Sequence, residues 1–424
     1  MIESNIFSEN RLTQIQLAFD SAAFLWLLRR SSLTQPDYHQ ADVYELDDRI
    51  ESYLDMLTTY PDVAWNLSEE SLQINQPGEI FVAGIIAFLS RDIKKVQKVT
   101  DVALQDHSTL DALSYSLAWL PSSYTQSWIR KFLLSKNLDH KLLALLACEQ
   151  KHDDPKELLR NILDREDCRL HERLYSQALK QAGELKRFDL LPLIRLGLNS
   201  AHADCQYWAR YALILMGELA YVKELRPWIL KEGPTQTTAI LLAFRLLPLA
   251  EAKQWLLEIL QDPSQMRLAI RACAILGDPQ AVPWLIKTMQ DARYAQLCAE
   301  AFSAITGVNL EEQGLVLSDL PDLDQLLPDT EDEDSFSLDQ DQYLPFPDAS
   351  KIGAIWQKYQ NRFKAQHRYF LGQPIDAAFT FLENLEKIKS IVGMRQCHRI
   401  AYEFALSSTS ETLRLPNKIR LSCD

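Results

Sequence analysis

Glycine is scarce in this chain, with 12 in 424 residues. So few glycines weigh against Gly-rich phosphate loops and against barrel architectures. β-Branched runs are also few, and Leu and Ala dominate, so helix is the expected element. Long apolar runs are missing: the longest near the front, Phe81 to Leu89, has nine residues, too short to span a bilayer. The opening residues lack the basic-then-apolar pattern of a signal peptide. Seven cysteines stand at 148, 168, 205, 273, 298, 397 and 423, an odd number with no CxxC pair. Reduced thiols and a cytoplasmic location follow as expectations. No phosphate loop, HExxH, GxSxG or kinase signature occurs, which argues for a non-enzyme without cofactor or metal.

Positive charge is missing from one long window. Between Tyr294 and Ser350 there are 14 acidic residues and no Lys or Arg, which equals the chain's net charge of −14. The remainder is neutral, with a mild basic excess after Ser350. Nothing resembles the clustered basic face of a nucleic-acid binder.

What is present is a repeat. "QSWIRKFL" at Gln126 recurs as "KELLRNIL", "LPLIRLGL", "RPWILKEG", "KQWLLEIL" and "VPWLIKTM". The anchors Trp128, Leu158, Leu193, Trp228, Trp255 and Trp284 are spaced by 30, 35, 35, 27 and 29 residues. A looser first member places Val99 at the anchor. Each segment follows another apolar helical stretch, so every unit is a helix, a turn and a helix. Pro192, Pro227 and Pro283 suit the first turn of the second helix. Gly183, Gly217 and Gly277 suit turns that need a left-handed conformer. Paired helices at this period predict an α-solenoid, with the anchors as inter-repeat core.

The ends fall outside the period. Ser8 is expected to cap a helix through Arg30, whose run Ala22–Leu28 is apolar on all sides and needs cover from its neighbours. A second helix near Asp42–Thr58 carries Val43, Leu46, Ile50, Leu54 and Leu57 on one stripe. After the acidic strap, Ser350 is expected to cap a helix striped by Ile352, Trp356, Tyr359 and Phe363. Two more helices follow, near Ile375–Lys389 and Gly393–Leu406. The fold class is therefore all-α: a solenoid of helix pairs with a helical N-terminal cap and a small helical C-terminal block. The boundaries are 1–76 for the cap, 77–309 for the array, 310–349 for the strap and 350–424 for the block.

Several motifs carry a resemblance. "RACAILGDPQAVPWLIKTMQDARYAQLCAEAFSAITG" is similar to HEAT-like repeats of the phycobilin-lyase type. Together with "AAFLWLLRR", "LDDRIESYLDML", "EDED…LPFPD" and "RYFLGQP", it resembles a HEAT-like-repeat family of proteobacterial proteins of unassigned function. The resemblance implies encoding near type VI secretion genes, beside spike, tip and adaptor genes. It brings no catalytic residues. The run Met394–Arg399, "MRQCHR", departs from the Gln/Arg-rich run the resemblance implies there.

Three constellations are candidates for chemistry. His140, His171, His202, Cys168 and Cys205 stand at related repeat positions, but repeats about 10 Å apart exceed a metal's first shell of about 2 Å. They read as polar residues at helix starts. The strap begins an EF-hand pattern at Asp339 and Asp341, then fails it at Tyr343 and Leu344. It reads as a solvated linker or, given its spaced Tyr343, Leu344 and Phe346, as a segment with "YLPFP" pinned to the protein or a partner. The C-terminal cluster of Trp356, Arg362, Arg368, Tyr369, Gln396, His398 and Arg399 could take an anionic ligand or acidic partner, or pair internally with Glu383, Glu386 and Glu403. The "GQP" turn is expected to leave backbone groups free. The candidate binding residues are Trp356, Arg368, Tyr369, Gln396, Arg399, Tyr343 and Phe346.

The functional expectation is a non-catalytic protein-binding scaffold. With the resemblance, it becomes an adaptor, chaperone or immunity-like helper for type VI secretion cargo, whose partner is a tip, spike or effector protein. The alternative is a bilin-lyase-like enzyme acting on a tetrapyrrole or a partner protein.

Overall fold

The computed structural model of the protein describes residues 2–317, 341, 343–376, 378–408 and 410–416. Among them are 22 α-helices and a single hairpin with two residues per strand, so the protein is all-α. No helix among the described residues is long and apolar enough to cross a membrane. Contacts group the chain into two compact units. The first takes in the residues up to Thr34, those from Tyr38 to Gly217, and those from Ser408 onward; the second takes in Gln35–Asp37 and Glu218–Ser407.

The first unit opens with three helices, one more than the sequence suggested: Ile2–Ser32, Gln40–Thr59 and Pro61–Ser71. Ser8 lies inside the first of these, not at its cap. The second buries Val43, Leu46, Ile50, Leu54 and Leu57, the expected stripe. Its start is closed by the His39 N–H, which donates to the Asp42 carboxylate at 2.7 Å. A buried Arg29–Asp47 ion pair ties the first two helices together. The apolar run Ala22–Leu28 is only partly covered. Ala22, Ala23, Leu25 and Trp26 are buried, but Phe24 and Leu27 are exposed. Trp26 stacks on Phe81 at 5.0 Å between ring centroids. That contact needs one face of the helix, so the other face keeps its apolar residues without cover.

Helix pairs follow. The first helices of successive pairs in this unit are Pro77–Ser90, His107–Trp119, Leu138–Lys151, Glu172–Glu184 and Ala203–Leu215, each packed on the next. In the second unit Gln236–Leu246, Met266–Leu276 and Ala292–Thr306 stack the same way. Side-chain bonds between neighbours reproduce the sequence period. The Ser116 hydroxyl donates to the Phe81 carbonyl across 35 residues, Lys180 to Glu149 across 31, and the Tyr211 hydroxyl to Glu184 across 27. Pro192, Pro227 and Pro283 all stand in the first turn of a second helix, where no N–H partner is lost.

Two details of the repeat differ from expectation. Of the six anchors from Trp128 to Trp284, only Trp255 is buried, and Val99 of the looser first member is buried too; Trp128, Leu158, Leu193, Trp228 and Trp284 are half-buried. The residue after each anchor is the core position: Ile129, Leu159, Ile194, Ile229, Leu256 and Leu285 are all buried. A large anchor side chain sits at the seam, where one edge meets solvent. The Trp128 ring, for example, takes the Lys131 ammonium 4.5 Å from its centroid. Gly217 and Gly277 are left-handed as expected, but Gly183 is helical. Its role is clearance, since a Cβ there would come within 2.5 Å of the Ala212 Cα on the next first helix.

Leu158 and Leu159 isolate this one-residue offset, because the chemistry of truncation is identical. Leu159→Ala should cost about 2–5 kcal/mol in denaturant unfolding, and Leu158→Ala less than half as much. Equal losses would restore the anchors to the core.

Candidate functional site

The C-terminal part of the second unit holds most of the candidate binding residues. Its first helix, Ala349–Tyr359, is capped by Asp348, whose carboxylate accepts from the Lys351 N–H at 3.0 Å. Asp is as good a cap as the expected Ser350. Ile352 and Trp356 are buried on the predicted stripe. Trp356 then begins a ring chain: Phe363 lies 5.4 Å from it, and Tyr369 4.9 Å from Phe363. The Tyr369 hydroxyl accepts from the Lys364 N–H at 2.8 Å, closing the loop between them.

Tyr369–Phe370 and Gln373–Pro374 form the hairpin, turning through Gly372 at φ +75°. The turn's backbone groups are not free. The Leu371 and Gly372 N–H groups donate to the carbonyls of Ala304 and Ile305 at 2.7 and 3.1 Å. The Tyr369 N–H donates to the Gly277 carbonyl at 2.7 Å. These acceptors lie at the C-terminal ends of Ala292–Thr306 and Met266–Leu276, where carbonyls lack partners within the helix. So close an approach excludes a side chain: a Cβ on Gly277 would sit 2.2 Å from the Tyr369 carbonyl oxygen.

The two buried arginines do the same work with side chains. Arg368 donates to the carbonyls of Phe244 (3.2 Å), Arg245 (2.6 Å) and Leu247, closing the end of Gln236–Leu246. Arg399 donates to Ala274 and Ile275 at 2.8 and 3.1 Å, closing Met266–Leu276. Its guanidinium carbon lies 3.9 Å from the Phe370 ring centroid. Burial pulls Arg399 down to about 10, which leaves it charged at neutral pH. Burial also lowers Arg368. The negative ends of three successive helices thus face cations or N–H donors from one segment. Glu403, which is buried, accepts from Arg245 at 2.8 Å and stands 3.7 Å from Arg399.

Of the other candidates, Gln396 is half-buried on Met394–Ser407, between Arg395, paired with Glu300 at 3.0 Å, and buried Cys397. Burial pushes the His398 imidazole down to about 4, and its Nε2 has no hydrogen-bond partner among the described residues. The strap enters this region at Asp341, which is buried and pairs with Arg267. That ion pair engages one oxygen, Oδ2, of the carboxylate an EF-hand would need. Leu344 is buried and its carbonyl accepts from Gln296. Leu317 N–H donates to Phe346 at 3.0 Å and Asp348 N–H to Leu315 at 2.7 Å, around a Val316–Pro347 bridge. The "YLPFP" half is therefore pinned to the protein's own chain, with Phe346 half-buried. Tyr343 departs from this, with 48 % of its surface exposed. The acidic half, 318–340 with Asp339, lies outside the described residues.

The His and Cys residues of the first unit are engaged separately. His171 caps Glu172–Glu184, accepting from the Leu174 N–H at 3.3 Å, and faces Asp139 at 3.2 Å. His202 faces Glu172 at 3.3 Å, and His140 bonds the Ser135 hydroxyl at 3.1 Å. Cys205 bonds Ser176 at 3.3 Å, and Cys168 is buried. No group of three or more His, Cys, Asp or Glu that could hold an ion occurs among the described residues. Burial pushes the thiols of Cys148 and Cys298 up to about 12 and that of Cys397 up to about 11, far from nucleophilic poise.

Comparison with family models, curated proteins and solved structures finds no match to this chain.

Arg399→Ala should destabilise the second unit by about 2–4 kcal/mol, because two buried carbonyls lose their donor. Arg399→Lys should recover only part, since one ammonium lacks the guanidinium's fork. An Ala variant as stable as the native protein would remove the clamp from the account. His398 adds a pH dependence. Its folded value lies below the ordinary 6.5, so its contribution is complete above that pH, declines as pH falls toward about 4, and is flat below. Melting of the native protein and of His398→Gln, compared between pH 7 and 4, should show a shallower acid decline in the variant. Parallel curves would contradict the burial of a neutral imidazole.

Proposed function

We propose that the chain is a non-catalytic protein-binding scaffold. In this reading the stacked pairs form an α-solenoid of HEAT-like repeats, with a helical N-terminal cap and a C-terminal helical block. The observation that carries it is how the side chains are allotted. The basic and aromatic residues of the C-terminal segment serve the protein's own helix ends. Large apolar side chains stay open instead: Phe24 on the first helix, and Leu134, Leu170 and Leu257 on the repeats. Exposed apolar side chains of that size suit a protein partner better than a small polar substrate.

The resemblance to the HEAT-like family gives the partner its class. The scaffold would act in the cytoplasm as an adaptor, chaperone or immunity-like helper for type VI secretion cargo. Its partner would be a tip, spike or effector protein. The partner's class rests on that resemblance.

Tagged full-length protein, purified from its native host with the neighbouring genes expressed, should retain a tip, spike or effector protein. Phe24→Glu with Leu17→Glu should reduce that recovery while leaving the melting temperature nearly unchanged, since both side chains are exposed. Recovery of no such protein above background would overturn the reading.

A further inference from the structure

A cavity of about 290 Å³ opens in the first unit between Ser122–Leu134, Leu138–Lys151 and Glu157–Asp164. Its floor is Leu133, Ile162 and Lys141, all buried. Its rim is Leu134, Asn161 and Arg165, all exposed. Lys141 is the unusual member. Its residue is 5 % exposed, and its one hydrogen bond is to the Leu133 carbonyl. Among the described residues no carboxylate lies within ion-pair distance of it. An ammonium has three donors, so two remain unassigned beside an open volume. A buried charge without a counterion is costly, and a ligand supplying one would recover that cost.

The lining restricts the ligand. Arg165 is already held by Asp167, at 3.0 and 2.6 Å, so its charge is neutralised. Asp164 at the rim is negative and opposes a multiply charged anion. Asn161 adds a neutral amide at the rim, and the other wall residues, Leu133, Leu134, Leu158 and Ile162, are aliphatic. A single negative charge with a short apolar tail matches all three conditions. We propose that this cavity binds a short-chain aliphatic monocarboxylate, with its carboxylate on the Lys141 ammonium and its tail against Leu158 and Ile162.

Butyrate is the probe, and its neutral isostere butyramide the control, titrated calorimetrically into the full-length protein at constant ionic strength set with chloride. Butyrate should bind saturably, and butyramide at least about tenfold more weakly, as expected for the loss of a charged hydrogen bond. Lys141→Met, which keeps the length and removes the charge, should abolish the difference between the two. A second readout needs no variant. Butyrate should slow reductive methylation of Lys141, followed by peptide mass spectrometry, several-fold relative to exposed Lys98, and butyramide should not. Equal binding of both probes, no binding of butyrate, or Lys141 methylation unchanged by butyrate would each overturn the proposal. So would equal protection by chloride alone, which would mark a non-selective anion contact.

Discussion

The constraint on which this structure turns is the carbonyl end of a helix. Each α-helix leaves its last carbonyls without partners and concentrates negative potential there. In a stack of short helices, one such end arises every thirty residues or so, and packing against neighbours takes water away from it. The protein answers with donors imported from distant sequence. Arg368 and Arg399 reach back more than 120 residues to do this, and the hairpin backbone closes a third helix. In the first unit Lys151 donates to the Leu120 carbonyl 31 residues back and the Leu413 N–H to Glu184, while Lys141 closes a nearer end at Leu133, eight residues away. These bonds are charged or buried, so their loss strands an acceptor instead of merely exchanging it with water.

That constraint explains which parts of the sequence could be read in advance. The all-α class, the period, the stripe of Gln40–Thr59 and the prolines of the second helices rest on local rules, and local rules are visible in a chain. The offset of one residue from Trp or Leu anchor to buried core was not. A half-buried Trp and a buried Ile both look apolar in sequence, and only the packing direction distinguishes them. Ser350 yields its expected cap to the neighbouring Asp348, and Ser8 lies within a helix that begins at Ile2. Gly183 suits a turn by sequence, yet it serves a close approach to Ala212.

The candidate site was legible as a cluster but not as a function. Arg368, Tyr369 and Arg399 do converge, and they do bind an electronegative target. The target is the protein's own backbone, which no sequence motif announces. The nearest signal was the recurrence of Gly277 and Gly307 directly after a helix, at places where the hairpin backbone later proves to lie. Trp356 packs inward beside that hairpin through Phe363, whereas Phe346 is half-buried and is held through its backbone carbonyl. Tyr343 alone among the candidates stays well exposed. A scaffold reading fits this economy, since a surface that presents apolar side chains first needs rigid helices beneath it.

Amide hydrogen exchange on the full-length protein tests the clamp most directly. If the hairpin closes the helix ends as described, the N–H groups of Tyr369, Leu371 and Gly372 should exchange as slowly as interior amides of Met266–Leu276. Exchange of those three at the rate of an exposed loop, with the helices still protected, would contradict the account.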